Sequence, residues 1–214
     1  MLIIFDCDGV LIDSERIVNQ VFSECLAQLG LKLTLDETIQ TFKGHTTEDC
    51  IAMAEQLLGK PINPEALLEN YKILSNGRME TELQAIPGIV DVLDTLALPK
   101  CVASNSGHRH IKMGLETTGL MPYFTPHIFS ANDVERPKPA PDLFLHAAQT
   151  MGFAPQDCVV VEDSPAGVQG AIAAGMTVLG FSDLTPASAL QDAGAQPFNS
   201  MAELSALLAS VTQA

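Results

Sequence analysis

The stretch Leu2-Ile3-Ile4-Phe5-Asp6-Cys7-Asp8-Gly9-Val10 decides how the chain is read. Its first four residues are a continuous apolar run that stops at an aspartate. That is the pattern of a short strand buried on both faces, and such strands belong to parallel sheets. Two further runs have the same form: Cys101-Val102-Ala103 ends at Ser104, and Cys158-Val159-Val160-Val161 ends at Glu162-Asp163. Ile128-Phe129 and Thr177-Val178-Leu179, before Gly180, are two more candidates. Helical patterns lie between them, over 88–96, 108–118, 141–151 and 165–174, with a closing one over 201–208. Strands alternating with helices of this length predict right-handed βαβ units and a doubly wound, Rossmann-like α/β fold with a mostly parallel sheet. Such sheets bind ligands beyond the carboxyl ends of their strands. The polar residues that end each run are therefore expected to converge on one crevice.

Residues 14–83 break the alternation and predict an inserted α-helical domain, leaving 1–13 and 84–214 as the α/β core. Ile17, Val21, Phe22, Leu26 and Leu29 form an apolar stripe at helical spacing, and Gly30 ends that helix. Asp36 is expected to cap the next helix. Thr46 or Thr47 caps a third, through Ile51, Ala54, Leu57 and Leu58 to Gly59, and Pro64 opens a fourth with Leu67, Leu68, Tyr71 and Leu74.

Composition narrows the function. Among 214 residues, 47% are hydrophobic and 17% charged, a balance that sustains a buried core. Eleven Lys and Arg stand against 26 Asp and Glu, a net charge of −15. That removes the cationic face that nucleic acids and anionic membranes require. No apolar run approaches the roughly 20 residues of a membrane span. The five cysteines are spread singly, without C-x-x-C spacing, as in a reduced cytoplasmic protein.

Asp6 and Asp8, one residue apart at a strand end, can face one opening, and Gly9 lets the backbone turn away. Neighbouring carboxylates repel unless a cation or a proton sits between them. Mg²⁺ suits such a pair, because it takes oxygen ligands and is commonly held by one or two carboxylates beside phosphate oxygens. Taken alone, a D-x-D-G string is equally a solvated acidic turn. Three further windows at other run ends change that balance. Ser104-Asn105-Ser106-Gly107 offers a hydroxyl and a helix N-terminus. Residues 136–142 hold Lys138 in a proline-bracketed loop, and Glu162-Asp163-Ser164 supplies more carboxylates.

With these four windows in this order, the chain resembles the haloacid dehalogenase superfamily of phosphohydrolases, in the branch with a helical cap inserted after the first motif. The resemblance runs from Leu2 to Leu208. It implies that Asp6 is the nucleophile, Asp8 the general acid and base, Ser104 the phosphate-binding hydroxyl and Lys138 the conserved lysine. Asp163 would bind the metal, joined by the main-chain carbonyl of Asp8 and by Glu162, directly or through water. Ser104, Asn105 and Lys138 would hold the phosphate, with Mg²⁺ as cofactor. Asp8 sets the chain apart from the dehalogenases and phosphonate hydrolases of the superfamily, which lack an acid/base aspartate there.

The same resemblance places substrate selection on the insert, at Lys43 and Gly44, with His108 bordering the substrate. His45, His110, His127 and His146 read as structural or surface residues. Sugar-phosphate mutases of the superfamily carry a histidine where this chain has Val18, an arginine at Thr47 and a lysine near Gly107. The missing cations favour hydrolysis over transfer. Phe42-Lys43-Gly44 and the run 145–148 resemble bacterial 6-phosphogluconate phosphatases. The expected partner is a small phosphorylated metabolite, a sugar phosphate or a phosphorylated sugar acid such as 6-phosphogluconate, turned over by a monomer or weak homodimer. The rivals are a phosphoglucomutase-like transferase, a phospho-receiver domain and a silent binding protein. Receivers are shorter, and carry the acceptor aspartate on a later strand than the acidic pair.

Overall fold

A computed structural model describes residues 1–211; residues 212–214, which the sequence assigns to the core, lie outside the described residues. In chain order the elements are β1 (Leu2–Phe5), α1 (Ser14–Leu29), α2 (Leu35–Phe42), α3 (Thr47–Leu58), α4 (Pro64–Glu82), α5 (Ile89–Thr95), β2 (Lys100–Ser104), α6 (His108–Thr117), α7 (Met121–Phe124), β3 (Ile128–Ser130), α8 (Asp142–Met151), β4 (Cys158–Glu162), α9 (Pro165–Ala173), β5 (Thr177–Phe181), α10 (Ala187–Asp192), β6 (Gln196–Phe198) and α11 (Met201–Val211). The chain divides into two units, Met1–Asp13 with Gln84–Ala214, and Ser14–Leu83.

In the first unit six strands form one sheet in the order β3-β2-β1-β4-β5-β6, with every pair parallel. The four residues of β1 are fully buried because β1 is central in the sheet and helices cover both faces. Alternation along the strand sends Leu2 and Ile4 to one face, where they pack with Cys101, Val160, Phe144 and Ala147. On the other face Phe5 meets Phe124 edge to face, at 5.9 Å between ring centres. Register pairs Ile4 with both Cys101 and Val160. Truncating Ile4 to alanine would cost about 2–5 kcal/mol, the usual range for a buried aliphatic side chain.

The sixth strand is an addition to the expected five. Gln196–Phe198 lies at the sheet edge and contains Pro197, which an edge strand tolerates because one row of its N–H groups has no ladder partner. Phe198 stacks on Phe181 of the neighbouring strand at 5.3 Å.

The second unit is helical. Val21, Cys25 and Leu26 of α1 pack against Phe42, Ile51, Ala54, Ile62 and Leu67. The expected stripes are trimmed at two places, since Leu57 and Leu68 are exposed. The cap of α2 is Thr34 rather than Asp36. The Thr34 hydroxyl accepts from Glu37 N–H at 3.2 Å, and the Glu37 carboxylate accepts from Thr34 N–H at 2.8 Å. This reciprocal box satisfies two otherwise unpaired donors and extends the helix start upstream of Asp36. Thr46 caps α3, and Asn63 caps α4 with Pro64 in its first turn. Among the described residues, no helix is long and apolar enough to cross a membrane.

Candidate active site

The site is built at the carboxyl end of the central strand. Asp6 continues β1 by donating its N–H to Val161 O at 2.9 Å. The chain then turns sharply: Leu11 N–H returns to Cys7 O at 2.9 Å, and Gly9 N–H donates to Ile12 O at 2.9 Å. Gly9 adopts φ +78°, in the left-handed region, and a Cβ there would fall 2.5 Å from Asp163 Oδ2. Only glycine meets both conditions without strain. The turn after β1 and the end of β4 are thereby pressed together, which places Asp163 beside Asp6.

Lys138 reaches into this junction. Its Nζ donates to Asp6 Oδ1 at 2.8 Å and to Glu162 Oε1 at 2.6 Å, and it lies 4.8 Å from the centre of the Phe144 ring. Its side chain is 3% exposed and that of Glu162 0%. The second Glu162 oxygen accepts from the Asp163 and Ser164 N–H groups, each at 3.0 Å, and from the Ser164 hydroxyl at 2.9 Å. A buried charge persists only when paired and hydrogen-bonded. Glu162 meets that condition and holds the lysine in place from behind. Burial would pull the Lys138 ammonium down, but the carboxylates of Asp6 and Glu162 outweigh it and hold it above the ordinary lysine value. Burial pushes Asp6 up to about 7, against the pull of Lys138 and with the help of Glu162 and Asp8.

The motif after β2 acts on both neighbours. The Ser104 hydroxyl is buried at the strand end and accepts from Ser106 N–H at 3.0 Å. Asn105 turns its amide toward the loop of Lys138: its Oδ1 accepts from Lys138 N–H and its Nδ2 donates to Lys138 O, both at 3.0 Å. The Asn105 side chain therefore positions the main chain of the lysine. The Ser106 hydroxyl donates to Asp8 Oδ2 at 2.7 Å, and His110 Nε2 lies 2.9 Å from Asp8 Oδ1.

The sequence places His108 by the substrate and His110 among structural or surface residues. In the structure His108 Nε2 is 2.8 Å from Asp133 Oδ1, while His110 is the histidine on the acid/base candidate. The partner of each lies on a distant segment and leaves no local signal. Lys43 and Gly44 belong to the helical unit. There Lys43 Nζ stands 3.5 Å from Glu15 Oε2, and Gly44 has φ +85°.

Carboxylate oxygens of Asp6, Glu162 and Asp163 lie within 4.8 Å of one another, all three residues buried. Opposite ligands of a Mg²⁺ ion stand about 4.2 Å apart, twice its metal–oxygen distance. The cluster is near that size, and Lys138 supplies one positive charge against three carboxylates. The donor set is thus all oxygen and short of positive charge, which fits a hard divalent cation. Asp6 offers a nucleophilic oxygen beside a buried ammonium, and Asp8 a second carboxyl two residues on. Together they are equipped to attack an electrophilic, anionic centre.

A family model described as haloacid dehalogenase-like hydrolase matches residues 3–181. The chain is 32% identical over 179 residues to the 6-phosphogluconate phosphatase of Escherichia coli strain K12, covering 84% of this chain and 81% of that protein. A haloacid dehalogenase-like protein of unknown function from Agrobacterium tumefaciens superposes with a TM-score of 0.91 at 41% identity, over 99% of this chain and 98% of that one. A family hydrolase from Deinococcus radiodurans, crystallised with bound phosphate and sodium, gives a TM-score of 0.89 at 35% identity, over 98% and 95%.

Proposed function

The chain belongs to the haloacid dehalogenase-like hydrolase family, and on that premise we propose that it is a Mg²⁺-dependent phosphatase of a small phosphorylated metabolite. The favoured substrate is a sugar phosphate or a phosphorylated sugar acid such as 6-phosphogluconate, in line with the similar Escherichia coli phosphatase. The observation that carries the proposal is the lysine bridge. Lys138 spans Asp6 and Glu162 at 2.8 and 2.6 Å in a buried setting, and the carboxylate oxygens of those two acids lie within 4.8 Å of those of Asp163.

The chemistry runs in two displacements. An Asp6 oxygen bonds to phosphorus while the ester oxygen leaves with a proton from Asp8, giving an aspartyl phosphate and the free alcohol. Water then attacks the same phosphorus, Asp8 takes its proton, and inorganic phosphate departs with the Asp6 carboxylate restored. Lys138 offsets the repulsion between a carboxylate nucleophile and a phosphate dianion. The Ser104 hydroxyl and the main-chain N–H groups of the following turn hold the non-reacting oxygens in line. Asp6, Asp163, the Asp8 main-chain carbonyl and Glu162, directly or through water, would hold Mg²⁺, which when bound supplies Lewis-acid neutralisation of the phosphoryl oxygens.

Hydrolysis is favoured over transfer by the helical unit itself. Val18 and Thr47 line a cavity with Phe22, Phe42, Ile51 and Tyr71, and no lysine or arginine is among its lining residues. A phosphate group in this cavity would meet no strong cation. The test is phosphate release from a panel of sugar phosphates with and without Mg²⁺. Metal-dependent release from a hexose phosphate or sugar acid phosphate is expected. Interconversion of glucose 1-phosphate and glucose 6-phosphate that needs a bisphosphate primer would overturn the reading in favour of a mutase.

A further inference from the structure

Resting on the reading of Asp8 as the acid and base of both displacements, we infer that His110 is a positioning residue that, with Ser106, fixes the plane of the Asp8 carboxyl. The two contacts fall on different oxygens, Ser106 Oγ on Oδ2 at 2.7 Å and His110 Nε2 on Oδ1 at 2.9 Å. The main chain of Asp8 is already held by the turn through Cys7, Gly9 and Ile12. What remains loose in an aspartate is rotation about its two side-chain bonds, and one contact on each oxygen removes it. A carboxylate has about four lone-pair positions, so one contact on each oxygen orients the group without by itself exhausting its capacity to carry a proton.

The clamp stands on a rigid support. Ser106 and His110 flank the start of α6, where His110 N–H donates to Gly107 O at 2.9 Å. Ser106 is pinned by its N–H to Ser104 Oγ at 3.0 Å and by its carbonyl to Ser130 Oγ at 2.7 Å. The Asp8 side chain is 25% exposed and that of His110 34%. An ion pair at such exposure adds little stability. A solvated salt bridge would also have no need of a second donor on the opposite oxygen. Orientation of a reacting group is where a displacement of about 1 Å can cost 100-fold in rate.

The test separates orientation from general structural damage by the leaving group. A series of aryl phosphates from p-nitrophenyl to p-methoxyphenyl is compared by kcat/KM for wild type, Asp8→Asn, His110→Phe, His110→Gln and Ser106→Ala. A good leaving group departs without an acid, whereas a poor one requires it. His110→Phe is expected to lose about 10-fold more on the p-methoxyphenyl ester than on the p-nitrophenyl ester, in the same sense as Asp8→Asn. Ser106→Ala is expected to do the same more weakly. His110→Gln, which restores a donor, is expected to recover most of the difference. An equal loss on every ester, or no loss, in His110→Phe while Asp8→Asn remains selective overturns the role of His110 alone. An Asp8→Asn enzyme with no leaving-group dependence overturns the acid/base reading itself, and the clamp with it.

Discussion

Gly167 stands where a side chain would collide with the Glu162 carboxylate: a Cβ there would lie 1.8 Å from Oε1 and 2.3 Å from Oε2. Glu162 cannot yield easily, because it is fully buried and one of its oxygens holds Lys138 at 2.6 Å. Gly167→Ala is therefore expected to displace the carboxylate and tilt the lysine, lowering kcat about 100-fold. Steady-state kinetics with a parallel urea titration checks this. An alanine variant with wild-type kcat would show that the rear carboxylate need not be fixed.

Lys138 is the cation between two buried acids, so removing it strands both. Lys138→Met is expected to lose about 3–5 kcal/mol of stability at pH 8, as removal of one partner from a buried ion pair commonly does. The double variant Lys138→Met/Glu162→Gln is expected to be more stable than the sum of its single variants, by the coupling that a double-mutant cycle measures. Additive losses would mean that the bridge carries no net interaction.

Asp6 gives the pH dependence. Its folded value, about 7, lies above the ordinary 3.8, so between those values the metal-free folded state binds more protons than the unfolded one. Its contribution to stability is complete below pH 3.8, falls as pH rises, and is gone above about 7. In EDTA, Asp6→Asn is expected to gain on wild type as pH rises from 5 to 8, by urea unfolding. The same variant is expected to lose at least about three orders of magnitude in kcat, the scale of nucleophile removal. A Mg²⁺ ion held as proposed would compete with the Asp6 proton, so wild-type metal affinity, measured by calorimetry, is expected to fall below pH 7.

Asn105 holds the main chain of Lys138 through two bonds of 3.0 Å. Asn105→Ala is expected to retain the fold and lose about 10-fold in kcat, as the lysine loop gains freedom. Asn105→Asp, which keeps the acceptor and loses the donor, is expected to fall between. Equal kcat in both variants and wild type would place the fixing of Lys138 elsewhere.

The central strands were legible because burial on both faces leaves an uninterrupted apolar run, as in Leu2–Phe5 and Cys158–Glu162 up to its acidic end. Gln196–Phe198 was not, because an edge strand carrying a polar residue and a proline has neither the run nor the alternation. Asp36 was a plausible cap by residue type, but Thr34 and Glu37 satisfy each other and start the helix earlier. Asp6, Asp8, Ser104, Glu162 and Asp163 stand out in the sequence because each ends or follows an apolar run, and Lys138 because prolines bracket it. His110 does not: its partner is 102 residues away, and only the fold brings β1 and α6 together. The amide of Asn105 was equally opaque, since its role depends on a main chain 33 residues downstream.

Because β1 is laddered to β2 on one side and β4 on the other, Asp6, the proposed nucleophile, follows the strand expected to open last. The amides of Ile4 and Phe5 are expected to be among the slowest to exchange with deuterium, at rates set by global unfolding. Thermal inactivation is then expected to follow loss of the whole sheet, with no earlier stage in which the molecule stays folded and Asp6 is set free.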